Sequence, residues 1–362
     1  MWIFIDSNIF YDNWYLESAN FQLLGNYVNN SGTRMVLSDM VCLEVQNHQE
    51  KQTVEAQAAL RKSLKVFNQL QPKEDGLEID DAMRSYDFRE VLASRFECLD
   101  FISYASVSQE KVGYRAVKKI RPFQEHDKGY RDTLIWLSLL DHISESGYKG
   151  EIVFINSNQS DFFEKNMEFY DDLKSDIVKY GLECSFSNYL TLTAFLQERV
   201  NKDEHLFNYE EVSEHYLMDS ERLIQQEIAE HINAIATSDF LDMVLKQNSW
   251  FPNLPYASSH KFEIVEGIED PVVLACRSLS DDLLYINYQF NLRICEIRFD
   301  IPFYHMVDGP DWMNRFFDIE ELSDRYRLIA YRRIDVEASF NYRISSASIE
   351  GMEIEVFRLR KH

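Results

Sequence analysis

Trp2 to Ile5 is an unbroken apolar run that stops at Asp6-Ser7-Asn8. It shows no alternation of polar and apolar residues, so the segment reads as a strand buried on both faces, the kind found in parallel sheets covered by helices. The polar residues behind it are turn and cap formers. The same pattern recurs twice. Arg34 to Leu37 is followed by Ser38 or Asp39, either able to cap a helix, and Glu151 to Ile155 closes on Asn156-Ser157-Asn158.

Helical periodicity fills the intervals. One helix is expected through Cys42, Leu43 and Glu44 to about Leu70, one over Met83 to Asp100, one from Ser108, and one over Tyr130 to Ser144 with Leu134, Trp136, Leu137, Leu140 and Ile143 facing inward. Gln71 to Asp81, with Pro72 and Gly76, reads as a loop. A helix over Asn166 to Tyr180, a short strand over Cys184 to Phe186 and a helix capped by Ser187 and running through Leu196 complete the series. This is an α/β fold with a mainly parallel sheet flanked by helices. In such folds sites lie beyond the carboxyl ends of the strands.

A chain of 362 residues is long for one core, and its character changes after Val200. Residues 1–200 are read as the α/β domain and 201–250 as an acidic helical connector. Residues 251–362 are read as a β-rich accessory domain, α+β with antiparallel strands, from runs such as Leu284 to Phe290, Ile294 to Ile301, Tyr326 to Ile334, Val336 to Ile344 and Met352 to Leu359. Five scattered cysteines with no C-x-x-C pair argue against a disulfide framework or a zinc site. The amino terminus has no basic leader, and no stretch is apolar enough for a membrane span. We therefore expect a cytoplasmic protein without a membrane partner. A net charge of -24 rules out binding nucleic acid through the overall field, because phosphates are neutralised by Lys and Arg.

Against that fold, acidic and amide side chains fall where a site belongs. Asp6 follows the first strand, Glu44 lies on the helix after the second, Asp132 opens the helix from Tyr130, and Asn158 and Asp161 follow the strand ending at Ile155. Each has a simpler reading when taken alone: a turn residue, a solvated helix face, a helix-dipole acid, an N-cap. Together they form an oxygen-only cluster whose mutual repulsion a hard cation such as Mg²⁺ or Mn²⁺ would relieve. Such a centre can activate water for in-line displacement at a phosphodiester.

These segments resemble the PIN-domain family in a bacterial PIN-like form. Ile3-Phe4-Ile5-Asp6-Ser7-Asn8, Val41-Cys42-Leu43-Glu44-Val45, Lys128-Gly129-Tyr130-Arg131-Asp132-Thr133 and Val153-Phe154-Ile155-Asn156-Ser157-Asn158-Gln159-Ser160-Asp161-Phe162 match its four motifs in order, over about Met1 to Arg199. The resemblance implies a three-layer PIN-like fold and a metal-dependent endonuclease, RNA ahead of DNA. Asp6, Glu44, Asp132 and Asp161 would be its catalytic acids. Asn158 joins them as a possible metal ligand, and Ser7, Asn8 and Asn156 support the site or face the substrate. Two positions depart from the family pattern: Asn156 replaces the usual Thr, and either Asn158 or Asp161 can be the fourth ligand. By analogy alone, toxin or phage-defence use would suit such a protein. The alternatives are a single-strand or flap DNA nuclease and a catalytically weak scaffold for protein assembly. A homodimer or a regulatory protein partner is expected.

Between Lys111 and Arg131 the local charge reverses. Lys111, Arg115, Lys118, Lys119, Arg121, Lys128 and Arg131 are interleaved with Tyr114, Phe123 and Tyr130. Because the segment precedes Asp132, it is expected to lie beside the acids and bind the phosphates of a nucleic acid. The competing reading is a solvated basic face. Arg325, Arg327, Arg332, Arg333, Arg343, Arg358 and Arg360 suggest a second, weaker candidate surface on the C-terminal sheet.

Overall fold

The computed structural model describes residues 1–70, 85–124, 128–200, 212, 216–247, 257–303 and 317–360. They fall into two compact units, the first Met1–Glu17 with Phe21–Val200, the second Ser18–Asn20 with Asn201–His362. The acidic loop read over Gln71 to Asp81 lies outside the described residues, as do residues 201–211, 213–215 and 248–250 of the expected connector.

The first unit is a five-stranded parallel sheet between helices. Its strands are β1 (Trp2–Ile5), β2 (Arg34–Ser38), β3 (Leu99–Ile102), β4 (Glu151–Ile155) and β5 (Ser185–Tyr189), in the order β3-β2-β1-β4-β5. Ile3, Phe4, Ile5 and Ile152 to Ile155 are fully buried, as the apolar runs require of central parallel strands. The chain leaves β1 for β2 on one side and reaches β4 on the other. The strand order therefore reverses between β1 and β4, and in folds of this class sites lie beyond the carboxyl ends of the strands at such a point.

The helices of this unit are α1 (Ala19–Ser31), α2 (Asp39–Gln69), α3 (Phe88–Arg95), α4 (Gln109–Lys118), α5 (Tyr130–Ser146), α6 (Gln159–Phe162), α7 (Asp171–Lys179) and α8 (Leu192–Phe195). Ser38 caps α2 by accepting from the amide of Met40 at 3.3 Å. Only the first turns of α2 bury apolar residues, Val41, Cys42 and Val45. The α5 helix is the central packing element, with Leu134 to Leu140 all buried and Trp136 fully so. Its start depends on Gly129, which has φ +96°, and a Cβ there would sit 2.3 Å from the carbonyl oxygen of Pro122. No other residue type fits that approach.

Three sequence expectations in this unit change. The helix expected over Met83 to Asp100 is shorter, because Phe96 turns extended and Leu99–Ile102 joins the sheet as β3 beside β2. The helix expected from Asn166 begins only at Asp171. Ser187 lies inside β5, and Thr191 instead caps the last helix by accepting from the amide of Ala194 at 3.1 Å. In the first and last cases sheet pairing overrides a local cap or period.

The second unit is an antiparallel sheet of β6 (Ser259–Ser280), β7 (Leu283–Pro302), β9 (Arg325–Arg343) and β10 (Ser348–Leu359) in the order β10-β9-β7-β6, with β8 (Asp318–Glu321) on β9. Helices α9 (Glu221–Ala234) and α10 (Thr237–Gln247) bury Ile224, Ile228, Ile232, Phe240 and Val244 in the same core as Ile286, Tyr288, Phe340 and Phe357. These helices pack onto the sheet, within the span 201–250 that the sequence reads as an acidic helical connector. Asn233 ties the layers by exchanging hydrogen bonds with the backbone of Phe262, at 2.8 and 2.9 Å.

Strands read as pairs prove continuous. In β7 the core residues are Leu284, Ile286, Tyr288, Phe290 and Leu292, then Cys295, Ile297, Phe299 and Ile301. The parity flips where the register against β9 shifts between Leu292 and Cys295. An extra residue at a bulge moves every later side chain to the other face, which splits one strand into two apparent runs.

Candidate active site

Asp6 stands at the switch point of the first sheet. Its amide donates to the carbonyl of Ile155 at 3.0 Å, prolonging the β1–β4 pairing by one rung. The chain then turns through one 3-10 turn, Ser7–Ile9. The side chain is 3% exposed, and its Oδ1 is buried without a hydrogen-bond partner among the described residues. Burial first, then the charges of Asp132 and Glu44, push its carboxyl up to about 8.

Glu44 approaches from α2. It accepts from the hydroxyl of Ser7 at 2.9 Å and forms an ion pair with Arg131 at 2.6 Å. Asp132 lies in the first turn of α5, whose backbone starts from Gly129. Burial, followed by the charges of Asp161 and Glu44, raises its carboxyl to about 6. The structure thus brings Asp6 within electrostatic reach of Asp132 and Glu44, and Asp132 within reach of Asp161 and Glu44, from four separate elements.

Asn156 and Asn158 do different work. Asn156 is fully buried, and its Oδ1 accepts from the side chain of Asn8 at 3.2 Å and from the amide of Asn158 at 2.7 Å. It staples the turn after β1 to the turn after β4, so an amide can stand where the family has Thr. The Asn158 side chain donates to Asp161, and Ser160 Oγ donates to both, at 3.1 Å each. Of the two candidates for the fourth position, Asp161 is the one whose charge reaches Asp132.

Among the described residues, no three His, Cys, Asp or Glu side chains are already arranged to hold a metal ion. The donor chemistry nevertheless fits a hard divalent cation. The set is all oxygen, and Asp6 has a buried, unpartnered carboxylate oxygen facing like charges.

The basic segment does not lie beside the acids as a whole. Lys111 and Arg115 line a cavity with Tyr180 and with Ser144, near the far end of α5. Twelve residues separate Ser144 from Asp132, roughly 18 Å of helix. Lys111 sits over the ring of Tyr180 at 5.1 Å. Arg115 is no surface cation. It is 6% exposed and ion-paired at 2.6 Å to Asp176, which also accepts from the indole of Trp136 at 3.1 Å. Lys118 and Lys119 are exposed at the end of α4. Arg121 comes close to the site, stacking on Tyr170 at 4.3 Å and donating to the carbonyl of Ser160. Lys128 and Arg131 are exposed at the entry to α5. The usable basic edge is therefore Arg121, Lys128 and Arg131. The helix α4 carries the earlier residues away because it packs along α5.

The arginines of the second unit are largely engaged by acids. Arg327 pairs with Asp300, Arg333 with Glu269, Arg343 with Glu350 and Asp282, Arg325 with Asp324, and Arg360 with Asp335. Ion pairs of this kind cancel the field that a nucleic-acid surface would need.

Sequence reasoning missed an aromatic group beside Glu44. Tyr11 donates to Ser7 Oγ at 3.4 Å, and its ring stacks on His48 with centroids 4.3 Å apart. Tyr11 follows Ser7 by four residues and His48 follows Glu44 by four, a spacing that was available as a signal.

All five cysteines are free, and burial pushes the thiols of Cys42, Cys276 and Cys295 up to about 12. Among the described residues no helix is long and apolar enough to cross a membrane.

Comparison with known proteins yields no match among curated proteins and none among solved structures. A family model does match: the one described as PIN domain, over residues 3–162. That span runs from β1 to Phe162 and contains Asp6, Glu44, Asp132 and Asp161. PIN domains are in general nucleases, which supports an enzyme with a nucleic-acid substrate, and they typically use divalent metals. The parallel sheet, the acids at its switch point and the family match agree, and the N-terminal part of this chain is a PIN domain.

Proposed function

We propose that the first unit is a metal-dependent endonuclease that hydrolyses phosphodiesters, RNA ahead of DNA. The observation that carries this reading is Asp6: a buried carboxylate with an unpartnered oxygen, held among Asp132 and Glu44. A fold gains nothing from that arrangement unless a cation completes it. Asp6, Glu44, Asp132 and Asp161 would hold Mg²⁺ or Mn²⁺, which supplies positive charge at the phosphate and acidifies a water molecule.

The chain's own groups then have distinct tasks. Ser7 fixes the carboxylate of Glu44 through the 2.9 Å hydrogen bond. Asp132, whose carboxyl burial raises toward neutrality, is suited to accept a proton from the attacking water, which Glu44 helps to orient. Asn156 and Asn8 lock the two turns, and Asn158 with Ser160 aims Asp161. Arg131, now paired with Glu44, can turn to a substrate phosphate once a metal takes its place.

A non-catalytic scaffold is the second reading, favoured by the lack of three pre-arranged ligands among the described residues. The deciding experiment incubates the full chain with labelled single-stranded RNA and DNA in Mn²⁺, Mg²⁺ or EDTA, beside Asp132→Asn, with Mn²⁺ binding measured by calorimetry. Metal-dependent cutting lost in the variant upholds the nuclease, and the two substrates rank RNA against DNA. A folded protein that neither cuts nor binds Mn²⁺ is a scaffold.

A further inference from the structure

Three rings cluster in mutual contact on the rim of the acidic cluster. Tyr11 and His48 stack with centroids 4.3 Å apart and planes 16° apart. His48 and Trp14 follow at 5.6 Å and 23°, and Tyr11 and Trp14 are 6.2 Å apart. All three are half-buried. The stack is joined to the cluster at two points: Tyr11 donates to Ser7, which donates to Glu44, and His48 lies one turn beyond Glu44 on α2.

The loop carrying Tyr11 and Trp14 is firmly shaped. Tyr86 donates to the carbonyl of Trp14 at 2.8 Å, and Asp12 and Leu16 hold left-handed backbone at φ 64° and 55°. Left-handed backbone at a residue as bulky as Leu costs energy and persists only where the surroundings impose it. Next in the loop, Tyr15 is 53% exposed, edge-on to Tyr86.

We propose that Tyr11, His48 and Trp14 form a stacking platform that receives an unpaired nucleobase of the substrate, next to the phosphate at the acidic cluster. This deepens the nuclease reading and rests on it for the nature of the ligand. The near-parallel pairs Tyr11–His48 and His48–Trp14, all partly exposed, offer flat π-surface for another ring to stack on, and every nucleobase offers one. In a duplex the faces of the bases are covered by their neighbours, so the platform selects single-stranded nucleic acid with little regard to sequence. Arg131, with a side chain 65% exposed, and Lys128 supply positive charge beside Asp132 for the backbone between stacked base and metal. The net charge of -24 makes such a contact important, because the overall field repels the substrate and affinity must come from local contacts.

The test uses the full chain carrying Asp132→Asn, so that binding is read without cleavage, and single-stranded oligonucleotides with 2-aminopurine at one position. Trp14→Ala is expected to weaken binding roughly tenfold and to abolish the fluorescence change of the stacked base. Trp14→Phe should restore most of the affinity, and a strand abasic at that position should bind both forms alike. Equal losses on abasic and base-bearing strands, or a loss that merely follows a lowered thermal midpoint, would mean that the rings only anchor the loop, and the proposal falls. If the unsubstituted chain cuts single strands and Trp14→Ala changes neither binding nor KM, the platform is wrong and the nuclease stands. If base-dependent binding needs Trp14 but nothing is ever cut, the platform stands and the nuclease reading fails. Absence of binding to any strand overturns the platform.

Discussion

Replacing Asp6 by Asn removes the ionisable group whose burial costs most while keeping its size. Burial raises its carboxyl to about 8 from an ordinary 3.8. A raised folded-state pKa means that the native state holds the proton more tightly than the unfolded chain does. The associated stability is complete below pH 3.8 and is lost as pH climbs toward 8. Each pH unit in that window is worth about 1.4 kcal/mol, so by pH 7 the wild type has forfeited about 4 kcal/mol. Asn avoids this loss but still buries an unsatisfied amide, at about 1–3 kcal/mol. The expected result at pH 7 to 8 in EDTA is an Asp6→Asn variant about 1–3 kcal/mol more stable than wild type, with the advantage gone near pH 4. Mn²⁺ should reverse the order, because it stabilises only a protein that binds it. Urea unfolding at several pH values, with and without Mn²⁺, reads this through Trp136, which is fully buried in the same unit. A variant less stable than wild type in EDTA at pH 8, or one that Mn²⁺ stabilises equally, would refute the reasoning.

Further consequences follow from the same contacts. Mn²⁺ affinity should rise from pH 5 to pH 8, because the raised carboxyls of Asp6 and Asp132 must lose their protons to bind metal; calorimetry across that range would show a flat profile if they are not ligands. Ser7→Ala, which frees Glu44, should lower metal affinity or cleavage roughly 10–100-fold while leaving the fold intact by circular dichroism. Asp176→Ala strands the buried guanidinium of Arg115 and should cost about 3–5 kcal/mol in urea unfolding, with no specific effect on nucleic-acid affinity beyond that loss of fold. Gly129→Ala should impair cleavage more than global stability, since the Cβ collides with Pro122 just before α5 presents Asp132; equal catalytic rates would show that the α5 start tolerates the shift.

The strand-turn signals at Trp2 to Asn8 and Val153 to Asn158 were readable because both strands are buried on two faces. Burial of that kind forces uninterrupted apolar runs, and chain reversal forces polar ends. The positions of the four acids were readable because Asp6 and Asp161 follow strands, Asp132 lies in a first helical turn and Glu44 lies on the helix after the second strand. The strand Leu99–Ile102 was hidden inside a helical-looking window, because only pairing with β2 selects the extended form. In the second unit, register shifts in β7 disguised one long strand as two.

Sequence alone thus determined the α/β class, the place of Asp6, Glu44, Asp132 and Asp161 in the chain, and the family of the N-terminal part, because local periodicity and motif order carry that information. Tertiary structure alone decided three other matters. It sent Arg115 into a buried ion pair and carried Lys111 along α5 away from the acids. It assigned Asn156 to tying two turns together. It brought Tyr11, Trp14 and His48 together beside Glu44. Each depends on how separate elements pack, and a side chain's partner across a packing interface is fixed by that geometry, which no periodicity along the chain records.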